Sequence, residues 1–170
     1  PTENEFAEKL IGEIEKIDFI NLLKNVKDCF IFDIKDDFYF CVNKEIYYVN
    51  KQSFGLLNDN DFFSCIHNNI KHLLENNQIL KIVSDLKQLM HKFNSSNISN
   101  VFDINLANYL ISGGDRTSEN KSLDTFYETY LTQSQNLKEL DMEELYYSVE
   151  LPLEYVLYEM ENEGFALDKN

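Results

Sequence analysis

The sequence predicts an α/β layer fold in which a mixed sheet with an antiparallel meander is flanked by helices. Three observations predict it. Cys29–Ile34, Phe38–Val42 and Glu45–Val49 are short aromatic and β-branched runs, separated by the turn formers Asp36-Asp37 and by Asn43-Lys44. Two further short apolar runs, 79–83 and 101–102, each lead straight into a segment of helical periodicity. The length, 170 residues, supports one well-cored domain and falls short of two. Strands interleaved with helices pack as one sheet covered by those helices.

Each element has its own signal. Residues 5–15 carry Phe6, Leu10, Ile11 and Ile14 at helical spacing, and 18–26 read as a second short helix through Phe19, Ile20, Leu22, Leu23 and Val26. The three strands follow. Residues 61–75 are helical, with Phe62, Phe63, Ile66, Ile70, Leu73 and Leu74 as the apolar set and Asn76-Asn77 as the stop. After the strand 79–83, Ser84 is a candidate cap for a helix over 85–93. Residues 94–100 form a polar loop before the brief strand 101–102, and Asp103 is the N-cap expected for Ile104–Ile111. Gly113-Gly114 ends that helix. A helix from Ser122 to about Leu131, a linker over 132–136 and a last helical region to Glu163 complete the chain. Pro152 lacks an amide proton and should kink that region or mark a restart, and Gly164 supplies its C-terminal stop. Leu145, Val149, Leu153, Val156, Leu157 and Met160 recur as an apolar stripe, expected to dock on the domain. Leu153→Ala or Val156→Ala should then cost roughly 1–4 kcal/mol.

Composition narrows the function. The net charge is −15, and Arg116 is the sole arginine. Nucleic-acid affinity rests on Lys and Arg neutralising phosphates, so this surface repels DNA and has almost no donor for bidentate recognition. Cys29, Cys41 and Cys65 are odd in number and widely spaced, which fits reduced, largely buried thiols rather than a disulfide framework or a zinc site. No apolar run is long enough to span a membrane and no secretory signal opens the chain, so the expected location is cytoplasmic, with no membrane partner. His67 and His72 lack the i, i+4 spacing of paired ligands and, with His91, read as surface or packing residues. Tyr47-Tyr48, Tyr127, Tyr130 and Tyr146-Tyr147 could stack bases, but the lack of neighbouring cations favours packing. The acids between Glu139 and Glu163 read as a solvated helix face.

Two stretches resemble a known family. Phe102-Asp103-Ile104-Asn105-Leu106-Ala107-Asn108-Tyr109-Leu110-Ile111 is similar to the Phe-Asp-x-x-Leu-Ala-x-Tyr-Leu-Leu helix of the 3′–5′ exonuclease domain of family A DNA polymerases, and Ser122-Leu123 with Tyr130-Leu131 resembles the helix after it. Residues 149–168, with Glu150-Leu151-Pro152-Leu153, Val156-Leu157, Met160-Glu161, Gly164 and Asp168, resemble the passage by which that domain leads into the polymerase thumb. The resemblance implies a ribonuclease-H-like 3′–5′ exonuclease fold over 1–148 and an exit helix over 149–170, within a longer protein.

The family's catalytic residues carry over badly. Its nuclease holds two divalent metals with converging carboxylates. The first acidic pair maps onto Asp33 and Lys35, so an ammonium replaces one ligand and repels the metal; at 4 Å and an effective dielectric near 20 a unit pair is worth about 4 kcal/mol. The acid of the second motif falls at Leu89, and the nearby Asp85 reads as first-turn charge on the helix dipole. The third motif, Tyr-x-x-x-Asp, has no match: Tyr146 and Tyr155 are followed four residues later by Glu150 and Glu159. Asp33, Lys35 and Leu89 are therefore vestigial positions. The resemblance implies a non-catalytic structural domain, with no cofactor of its own, of a monomeric, nucleoid-associated polymerase. Its partner is the polymerase module of the same chain; Mg²⁺ and DNA are engaged by that parent. Two alternatives stand beside it: a divergent nuclease using Asp33, Asp36 and Asp37 with Glu150 or Asp141, and an acidic interaction domain for a basic partner.

Overall fold

The computed structural model describes residues 8–10, 16–34, 38–42, 45–49, 60–114 and 123–164. Its elements are β1 (Glu8–Leu10), α1 (Lys16–Lys24), β2 (Cys29–Ile34), β3 (Phe38–Val42), β4 (Glu45–Val49), α2 (Asn60–Glu75), β5 (Leu80–Val83), α3 (Leu86–Phe93), β6 (Val101–Asp103) and α4 (Ile104–Ile111). A 3₁₀ turn (Leu123–Thr125) then leads into α5 (Phe126–Glu139), the single turn α6 (Glu143–Leu145), a π turn (Tyr146–Glu150) and α7 (Leu151–Glu163).

The strands form one mixed sheet in the order β1-β4-β3-β2-β5-β6. β2, β3 and β4 make the antiparallel meander, while β5 and β6 add in parallel beside β2. This α/β arrangement is compatible with a ribonuclease-H-like fold. β2 reads as a nearly unbroken apolar run because both of its faces are covered. Phe30 and Phe32 point into one core with Phe40, Ile70, Leu74, Leu89 and Phe93; Ile31 points into the other with Cys41, Ile82, Phe102, Ala107 and Phe126. One face is roofed by α2 and α3, the other by α4 and α5.

Three expectations about elements are corrected. Part of the segment expected to be helical over 5–15 is β1, which pairs in parallel with β4; edge pairing overrides a short amphipathic pattern. The linker expected over 132–136 is the middle of α5, where Thr132 and Gln135 face solvent while Gln133 and Leu137 are buried. Asp85, not Ser84, caps α3 by accepting the Gln88 N–H at 2.8 Å. The turn at Asp36-Asp37, the loop at Asn43-Lys44 and the loop holding Arg116 lie outside the described residues.

The C-terminal region carries the largest correction. Pro152 stands in the first turn of α7, where the preceding π turn restarts as α-helix and its missing N–H is harmless. Gly164 ends α7 at φ +69°, its N–H donating to the Met160 carbonyl. The helix docks, but on a different face from the one expected. Leu151, Tyr155 and Tyr158 meet the core, with the Tyr155 hydroxyl donating to the Ile98 carbonyl at 2.6 Å. Val149, Leu153, Val156 and Met160 are 52%, 43%, 51% and 43% exposed. Leu153→Ala and Val156→Ala should therefore shift stability by no more than about 0.5 kcal/mol, as exposed substitutions do. Urea denaturation of both variants checks this, and a loss above about 1.5 kcal/mol would mean that the stripe is covered within the domain.

Candidate functional site

Because β2, β5 and β6 are parallel, their C-terminal ends come to the same edge of the sheet, where α/β folds place their ligands. Phe32, Val83 and Asp103 stand level across the three strands, so three acids mark this edge: Asp103 itself at the end of β6, Asp33 one residue on in β2 and Asp85 two residues after β5. Each of these carboxylates accepts a hydrogen bond from the protein itself. Asp33 is buried and accepts from the Ser84 hydroxyl at 2.6 Å. Asp85 caps α3. Asp103 accepts from the Leu106 N–H at 2.9 Å, as a cap of α4, and from the Leu86 N–H at 2.7 Å, so one carboxylate holds the first turns of two helices.

Burial of Asp103 pushes its carboxyl up to about 7; the two backbone N–H groups pull the other way, and Asp85 and Glu154 add to the rise. Beneath it the Tyr146 hydroxyl accepts the Asp103 N–H at 2.7 Å and donates to the Asp103 carbonyl at 3.2 Å. Tyr146 is fully buried, and burial, then the Asp103 charge, hold its phenol far above the ordinary range.

The sequence-predicted positions are distributed as follows. Asp33 is at this edge. Leu89 is fully buried on the inner face of α3, packed in the core with Leu86, Met90 and Phe93. Lys35, Asp36 and Asp37 lie outside the described residues. Asp141 is exposed between α5 and α6 at φ +57°, and Glu150 ends the π turn. Tyr155 is used on Ile98, and Glu159 is exposed. Among the described residues no three His, Cys, Asp or Glu side chains come together as a metal site.

The remaining candidates fall where packing needs them. His67 stacks on Phe93 at 4.5 Å, and His91 meets Glu161 at 2.7 Å. Cys41 is buried, and burial of Cys29, then its neighbours Cys41 and Asp28, raise the Cys29 thiol to about 12; the Cys65 side chain lies outside the described residues. Tyr47 stacks on Phe40, whereas Tyr127 and Tyr147 keep exposed faces. Sequence reasoning missed the second bond of Asp103, the partner of Tyr146, and Lys81. Lys81 is fully buried, its ammonium donating to the Asn76 carbonyl at the end of α2 at 2.6 Å, with burial lowering its pKa to about 8. The one signal for it was a lysine inside an apolar strand.

No protein-family model matches the chain. The chain is 29% identical to a DNA polymerase I of Caldicellulosiruptor bescii over a 128-residue alignment, 59% of this chain. It spans 15% of the length of that curated relative. The similarity supports a polymerase-related region. No helix among the described residues is long and apolar enough to cross a membrane.

Proposed function

We propose that this chain is a non-catalytic 3′–5′ exonuclease-like domain of a family A DNA polymerase, built on a ribonuclease-H-like sheet and serving as a structural platform. The observation that carries the proposal is Leu89. At the position where the resemblance expects a metal-binding acid, the chain places an apolar side chain in the core with no exposure. The acids that do reach the strand ends accept hydrogen bonds from Ser84 and from the first turns of α3 and α4, and so act as struts. The distant similarity to a polymerase I supports the setting. In this reading the polymerase module of the same longer chain is the partner, that module engages DNA and Mg²⁺, and the protein is a cytoplasmic monomer.

The test is a nuclease assay on single-stranded DNA with Mg²⁺ or Mn²⁺. No release of 3′ nucleotides above a metal-free control is expected. Metal-dependent release abolished by Asp33→Ala would overturn the proposal in favour of a divergent nuclease.

A further inference from the structure

We infer that the outer face of α7 is a docking surface for an amphipathic helix carrying lysine or arginine beside its apolar row. At about 100° per residue, Leu151, Tyr155 and Tyr158 share one side of α7, and Leu153, Val156 and Met160 lie on the opposite side, roughly 170° away. The first set is turned into the core; the second is exposed, and Leu145 and Val149 continue it across the π turn. The five exposed residues span roughly 20 Å of helix, a row at the spacing an i, i+3, i+4, i+7 partner helix reads. A row of large apolar side chains this long marks an interaction site more often than a solvated surface.

The charge around the row identifies the occupant. Between Glu139 and Gly164 the sequence holds nine acids (139, 141, 143, 144, 150, 154, 159, 161 and 163) and no Lys, Arg or His. Lys87 and His91 of α3 pair with Glu161, Lys87 also faces Glu154, and Lys138 lies 3.8 Å from Glu143. Exposed Glu159 and Glu163 line the other flank, where Lys71 of α2 borders the same pocket, so the nine acids still outnumber the cations around the row. A second copy laid on this face would set acid rows against acid rows, in a chain whose net charge is already −15. A partner that covers the apolar row and places cations over both flanks meets neither problem. The inference stands apart from the polymerase reading, because it uses only the exposure and charge of this face.

Three labelled peptides of about 18 residues test it by fluorescence anisotropy with the whole chain: leucine at helical spacing with lysine between, the same with glutamate for lysine, and the lysine peptide with serine for leucine. The leucine–lysine peptide should bind. The other two should bind at least about tenfold more weakly, and the double substitution Leu153→Ser, Val156→Ser should weaken it by at least about tenfold. Thermal unfolding of the variant should match the parent, since both sites are exposed. Equal binding of the serine–lysine peptide would reduce the contact to charge adhesion and overturn the inference. So would equal binding of the leucine–glutamate peptide, indifference to the double substitution, absence of binding, or a dimer in sedimentation equilibrium that the double substitution dissociates.

Discussion

Leu89→Asp should remove most of the folding stability at pH 7 and restore no nuclease activity. The substitution combines two costs at one buried site. Losing the leucine side chain leaves a cavity among Leu86, Met90 and Phe93, worth about 2–5 kcal/mol by analogy with truncation to alanine. The new carboxylate lies in the apolar core under α3, where an ion without a partner is driven to neutralise instead. The total approaches the roughly 5–15 kcal/mol by which domains of this size are stable. The sign with pH follows from burial. A carboxyl whose folded pKa is raised keeps its proton in the folded state, so the loss relative to Leu89→Ala should be small below about pH 4 and grow as pH rises. Urea unfolding of Leu89→Asp, Leu89→Ala and Leu89→Asn at pH 4 and pH 7 measures this. Should Leu89→Asp melt like the parent and gain stability saturably with Mg²⁺, α3 can turn that position toward the strand ends, and the platform reading loses its principal support.

Removing the Asp103 carboxyl is the second large effect. Asp103→Ala strips the acceptor from the Leu86 and Leu106 N–H groups at once, and buried unpaired donors cost about 1–3 kcal/mol each. A loss of about 2–5 kcal/mol is expected at pH 5. The parent should also show a pH signature that Asp103→Asn erases. With the folded carboxyl raised to about 7 from an ordinary value of 3.8, the unfolded chain releases its proton first as pH rises. Stability from this group is fully present below about pH 4 and declines up to about pH 7, by on the order of 4 kcal/mol. An asparagine keeps one acceptor and does not titrate, so the difference between parent and Asp103→Asn should slope across that window. A flat difference would mean that the two N–H bonds outweigh burial and hold the group ionised.

The acid edge shows why strand-end carboxylates invite two readings. The same three residues that could hold metals are also the natural acceptors for helix N-termini, because each βα junction leaves backbone N–H groups unpaired at that end. In this chain Asp85 and Asp103 take that second role.

Much of the fold was legible from local pattern alone. The β2, β3 and β4 boundaries and helix α4 follow directly from aromatic runs, turn residues and the cap at Asp103, all of which act within a few residues of one another. What the tertiary structure decided are choices between faces and partners distant in sequence. Helix α7 is apolar on two sides, and periodicity cannot tell which side is covered; α3 and the 94–98 loop chose the side of Tyr155 and Tyr158. β1 became a strand because the edge of β4 was available to pair with it. Lys81, Tyr146 and the second bond of Asp103 became buried polar links between elements because the sheet brings them together. Patterns of 2 and 3.6 residues encode which positions can be buried, whereas burial itself is a property of the surface that arrives from elsewhere in the chain.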